Sequence, residues 1–115
     1  MVESQQASTN VDRNSVWHTI WDTKGAVSDP SIPLHHIDGF DLLSAHEYDS
    51  LVDVSIQGLD LLKVQRVLEV GCGAGAFIDS ITRRYPHLEC VGIDYSRNLI
   101  KIARSRVSRS DFYCT

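Results

Sequence analysis

The run VLEVGCGAGAF, from Val67 to Phe77, narrows what this chain can become more than any other stretch. Val67, Leu68 and Val70 form a short apolar run that suits a strand covered on both faces in a parallel sheet. Gly71, Gly73 and Gly75 then stand at alternate positions, which is poor material for a strand or helix interior. They predict a tight turn whose bare backbone lets a ligand come close. Phe77, Ile78, Ile81 and Tyr85 recur at helical spacing, and Pro86 predicts where that helix ends. A second strand, Glu89 to Asp94, finishes in a carboxylate 23 positions beyond Gly71. That is close to the ~20-residue offset at which an acidic side chain meets ribose hydroxyls. Strand, glycine turn, helix and strand together make half of a nucleotide-binding α/β unit.

This stretch resembles motif I and the following acidic motif of class I S-adenosylmethionine-dependent methyltransferases, in which an acidic residue stands two positions before a GxGxG turn, as Glu69 does here. The resemblance implies S-adenosylmethionine as cofactor and assigns roles to Glu69, Gly71, Cys72, Gly73, Gly75, Asp94 and Tyr95. By that likeness the backbone from Gly71 to Gly75 lies against the methionine portion and Glu69 helps position it. Asp94 would take both ribose hydroxyls, and Tyr95 would lie along the adenine. No catalytic base is nominated, and no metal is expected. A nicotinamide or flavin dehydrogenase is the alternative, because Gly71, Gly73 and Ala76 satisfy the looser GxGxxA pattern. Glu69 counts against it, since the strand before such a turn normally stays apolar. The ligands differ in kind: a dinucleotide presents a pyrophosphate to the helix amino end, whereas S-adenosylmethionine presents an amino acid and a sulfonium.

The rest of the chain is read around this unit. Residues 1–10 are mostly polar and predict a mobile tail. Residues 11–62 read as an amino-terminal helical segment and loop, and residues 63–115 as the first half of the cofactor-binding domain. Val16, Trp17, Ile20 and Trp21 recur at helical offsets, predicting a helix that ends near Gly25 and packs against the domain. By the family resemblance this helix is a candidate lid. The connection from Gly25 to Leu43 holds His35, His36 and Asp38, which could supply a general base or a substrate contact, although locally hydrogen-bonded histidines are the commoner outcome. Ser44 and Glu47 form a capping box, and the apolar spacing after it predicts a helix from Ala45 to Leu59 that docks on the sheet. Ser96 is a cap for a helix carrying Leu99, Ile100, Ala103 and Val107, and Asp111 to Thr115 predicts a third strand.

The expected fold is therefore α/β: the first three parallel strands, with flanking helices, of a Rossmann-like methyltransferase sheet that in the family has seven. With 115 residues, a single domain is expected, and an incomplete one. A chain ending there is expected to expose the edge of its first strand, to self-associate through it, and to be poorly stable, weak in cofactor binding and low in activity. A non-catalytic interaction module is thus a third reading.

Charge and cysteine content bound the remaining classes. Residues 1–62 carry 2 basic and 10 acidic side chains, net −8, and residues 63–115 carry 9 and 5, net +4, so the halves should attract each other. The basic run Arg97, Lys101, Arg104, Arg106 and Arg109 reads as a solvated helix face, and nucleic acid is not indicated. Cys72, Cys90 and Cys114 show no CxxC spacing, so neither a disulfide framework nor a zinc site is implied. Without a signal peptide or an apolar run of membrane-spanning length, a cytoplasmic address with no membrane partner is the expectation. The methyl acceptor stays open among small molecules, proteins and RNA.

Overall fold

A computed structural model of the chain describes residues 13–26 and 29–115, so the expected tail at 1–10 lies outside the described residues. Eight elements follow in order among them: α1 (Arg13–Gly25), α2 (Leu34–Ile37), α3 (Ala45–Ser55), β1 (Arg66–Val70), α4 (Ala76–Arg84), β2 (Glu89–Asp94), α5 (Arg97–Arg106) and β3 (Asp111–Cys114). The strands form one parallel sheet in the order β1-β2-β3, with Arg66 opposite Glu89 and Val91 opposite Asp111. Parallel neighbours need a crossover, and α4 and α5 supply the two that this sheet requires. The result is a partial Rossmann-like fold.

The core lies where the helices meet the sheet. Ile78 and Ile81 of α4, Leu99, Ile100 and Ala103 of α5 and Phe112 of β3 are fully buried, with Tyr48 and Val52 of α3 packed beside them. The helices α3 and α5 begin at serine caps. Ser44 accepts the Glu47 N–H while Glu47 accepts the Ser44 N–H, and Ser96 accepts the Leu99 N–H. The predicted charge attraction is visible as Arg84 of α4, whose guanidinium lies beside the carboxylates of Asp49 and Asp53. Two members of the basic run are used internally: Arg104 donates to the Phe112 carbonyl at 2.9 Å and Arg106 to the Ile32 carbonyl at 2.7 Å.

Four expectations need correction. The strand β1 is not covered on both faces: Leu68 is 60% and Val70 74% exposed, because β1 is an edge strand and no described helix lies over that face. The helix α3 stops at Ser55 rather than Leu59, since Gly58 follows in a left-handed conformation that a helix cannot continue through. The connection before it is not plain loop, because α2 interrupts it. The helix α1 packs on α5 with Trp21, while Trp17 is 57% exposed and does not join the core.

Candidate functional site

Five positive-φ glycines occur among the described residues, and three form the turn after β1: Gly71 (φ 75°), Gly73 (φ 56°) and Gly75 (φ 89°). These left-handed values explain the alternate glycines, because a side chain there would strain the backbone. The turn is tied to the sheet by Gly71 and Cys72, whose N–H groups donate to the Ile93 carbonyl at 2.8 and 3.0 Å. Their bare faces look at different things. Nothing lies within 4 Å of where a Gly71 Cβ would be, so this position is open to a ligand. A Cβ on Gly75 would press on Phe112 and Val107, and one on Gly73 would collide with the Asp38 carboxylate. Two of the three glycines are thus bare for the chain's own side chains, which the expectation of a wholly ligand-facing turn did not anticipate.

The turn forms the floor of an open cleft of about 280 Å³. Glu69, Gly71, Cys72, Gly73, Asp94 and Tyr95 all line it, together with Asp38 and the rings of Trp21, Phe40, Tyr48 and Phe77. Of the residues given cofactor roles from sequence, Gly75 alone is absent from the lining; it is buried at the start of α4.

Glu69 reaches the cleft through the two-residue alternation of β1, which turns Val67 and Glu69 inward and Leu68 and Val70 out. Its Oε1 is buried with no hydrogen-bond partner. Desolvation, reinforced by the negative charges of Asp38 and Asp94, pushes the Glu69 carboxyl up to about 8. Asp94, at the end of β2, is buried beside the turn rather than turned away from it. Its Oδ2 accepts the Gly73 N–H at 2.9 Å and its Oδ1 the Ser96 N–H at 2.8 Å. A carboxylate offers about four acceptor positions, so each oxygen keeps capacity for a ligand hydroxyl. Tyr95 is half-exposed at the rim, with the ring of His18 edge-on at 4.9 Å.

Cys72 is a buried filler of the turn. Burial, followed by the charges of Asp94, Glu69 and Asp38, pushes its thiol up to about 12, so it is no nucleophile at neutral pH. His35 and His36 also have structural duties. Both place Nε2 on the Leu43 carbonyl, at 2.9 and 3.0 Å, and His35 stacks on Tyr48. Neither ring lines the cleft.

Asp38 is the residue whose role sequence reasoning missed. It had been grouped with the histidines as a substrate-side candidate, yet it accepts the N–H groups of Ala74 at 2.6 Å and Ala76 at 3.0 Å. Desolvation pushes its carboxyl up to about 6 against the lowering effect of those two bonds; Asp94 adds to the rise and Lys24 opposes it. No local pattern could have revealed a partner 36 residues away. Among the described residues, no group of three His, Cys, Asp or Glu is placed to hold a metal ion.

Comparison with known proteins points in one direction. A family model described as a methyltransferase domain matches residues 67–115. The trans-aconitate 2-methyltransferase of Afipia carboxidovorans is 31% identical over 51 residues, covering 44% of this chain and 20% of that protein. The malonyl-[acyl-carrier protein] O-methyltransferase of Bacillus anthracis is 33% identical over 51 residues, 43% of this chain and 19% of its own. The chain thus spans about a fifth of the length of these curated relatives. Among solved structures, the StiE O-methyltransferase (O-MT) superposes with a TM-score of 0.58 at 20% identity, covering 86% of this chain and 34% of its own. The plantazolicin methyltransferase BpumL, in complex with a pentazolic desmethylPZN analog and SAH, gives 0.53 at 23% identity, covering 87% and 42%. At these identities the two structures speak to the fold.

Proposed function

We propose that this chain, whose residues 67–115 match a model described as a methyltransferase domain, carries the methyl-donor pocket of a class I S-adenosylmethionine-dependent enzyme that methylates an unassigned acceptor. The observation that carries the reading is the buried, unpartnered Oε1 of Glu69 beside the one open glycine of the turn. A buried acceptor without a donor is costly, and an ammonium group arriving at Gly71 would satisfy it. The aromatic walls suit the adenine and the sulfonium, the latter through attraction of a cation to ring faces. The residues present therefore fit S-adenosylmethionine.

In this reading Glu69 holds the amino group, the Gly71 backbone lets the methionine portion lie close, and Asp94 takes the ribose hydroxyls with its spare lone pairs. Cys72 and Gly73 shape the floor between them, Gly75 starts the helix behind, and Tyr95 flanks the adenine. When bound, the donor supplies an electrophilic methyl group on sulfur. What the chain contributes is position and exclusion of water, since in-line displacement depends on alignment more than on proton transfer. The family match does not favour the dehydrogenase alternative.

Partner and address follow as parts of the same proposal. Three free cysteines agree with a reducing, cytoplasmic setting. No helix among the described residues is long and apolar enough to cross a membrane. The exposed Leu68 and Val70 on the β1 edge favour self-association there, and the internal use of Arg104 and Arg106 weakens any nucleic-acid reading. Calorimetric titration with S-adenosylhomocysteine tests the donor pocket: saturable binding is expected, weakened roughly tenfold to a hundredfold by Glu69→Gln, the range of a lost charged hydrogen bond. Stronger binding of NADH than of S-adenosylhomocysteine would overturn the reading.

A further inference from the structure

One wall of the cleft is made by a group for which holding a methyl donor gives no reason. Asp38 comes from the residue after α2 and places its two carboxylate oxygens on the Ala74 and Ala76 N–H groups. These amides stand at the amino end of α4, where the helix dipole favours negative charge and where a dinucleotide-binding turn receives its pyrophosphate. The fit is mutual. Gly73 has no side chain, and a Cβ there would run into the Asp38 carboxylate, its carbon only 3.0 Å away. The turn is therefore shaped around this carboxylate.

The surroundings make the seat selective. Asp38, Glu69 and Asp94 all line the cleft, and among the described residues no Lys, Arg or His does. An incoming phosphate would have to displace an internal carboxylate from the amides of Ala74 and Ala76 and then face the Asp94 carboxylate, with no basic side chain among the described lining residues. A ligand bearing sulfonium and ammonium charges meets complementary ones.

We propose that Asp38 is a specificity-determining residue: its carboxylate occupies the anion seat of α4, so the cleft accepts a cationic, phosphate-free adenosyl ligand and rejects nucleotides that carry a pyrophosphate. This rests on the donor-pocket reading and adds to it the basis on which one nucleotide class is chosen over another. It also makes the amino-terminal segment a part of ligand choice.

The test measures binding of two probes, S-adenosylhomocysteine and ADP-ribose, to the chain and to its Asp38→Ala and Asp38→Asn variants by calorimetry, with thermal melts to show that each is folded. The wild type is expected to prefer S-adenosylhomocysteine, and Asp38→Ala to gain at least tenfold in ADP-ribose affinity. Asp38→Asn keeps the shape and loses the charge, so a smaller gain of a few fold is expected; it carries the test if the alanine variant does not fold. A wild type that binds ADP-ribose as well as S-adenosylhomocysteine, or a folded variant with no gain for ADP-ribose, overturns the proposal. If the wild type binds no S-adenosylhomocysteine while the variants still gain ADP-ribose, the role of Asp38 stands and the donor reading falls.

Discussion

The floor of the cleft and its amino-terminal cover are built on opposite principles. The floor, from β1 to the start of α5, is contiguous in sequence, and each of its elements is held by neighbours a few positions away or by the next strand. The cover, from α1 to α3, packs apolar side chains such as Trp21, Tyr48 and Val52 on the helices of the floor, but its position is fixed by long-range polar contacts. Asp38 binds the amides of Ala74 and Ala76, and Asp22 accepts the Ser96 hydroxyl at 3.0 Å. A floor of this kind is encoded in pattern, whereas a cover of this kind depends on a few individual residues.

The largest effect that would separate the two is expected at Asp94. Asp94→Ala leaves the Gly73 and Ser96 N–H groups without acceptors, at roughly 1–3 kcal/mol each, and removes the ribose contact. A melting temperature many degrees lower and no detectable S-adenosylhomocysteine binding should follow. Unchanged affinity in a folded variant would mean that the sugar is held elsewhere.

Gly73→Ala comes next, because it strikes the joint between floor and cover. The residue would have to hold φ 56° and also displace Asp38, with an expected loss of about 2–3 kcal/mol in denaturant melts. Gly71→Ala, where only the left-handed backbone is strained, should cost about half as much. Equal losses at the two positions would show that Asp38 is not pinned there.

An effect comparable to the glycine losses is expected in the pH dependence of stability. Glu69 and Asp38 both titrate higher in the folded chain than their ordinary values of 4.5 and 3.8, at about 8 and about 6. The folded state therefore holds more protons than the unfolded one between about pH 4 and 8. Their contribution to stability is fully present below about pH 4 and is lost as pH rises through 6 and then 8. Allowing for solvent screening, the part owed to Glu69 is roughly 2 kcal/mol. Glu69→Gln should flatten the upper part of that slope in melts run from pH 5 to 8.5, and an unaltered slope would place the titrating group elsewhere.

How much of this was legible before the structure differs between the two regions for a physical reason. The strand, turn, helix and strand from Arg66 to Asp94 were read from alternation, glycine spacing and Pro86, because each signal acts over a few residues. The same reasoning found the Ser44 and Ser96 caps. It misjudged the outer face of β1, since whether Leu68 and Val70 are covered depends on neighbours beyond the strand itself. It grouped Asp38 with His35 and His36, whereas the structure sends the carboxylate to the turn and both rings to the Leu43 carbonyl. Side chains two and three positions apart went to different partners, and only tertiary packing decides that.

The attachment of α1 has a consequence for the order of assembly. Its Asp22 meets Ser96 across 74 positions, while β1 and β2 are joined by one short helix. Closing the longer loop costs more chain entropy, and its return, the Trp21 packing and the Asp22 hydrogen bonds, needs α5 already in place on the sheet. The helix α1 is thus among the last of the described elements to find its berth.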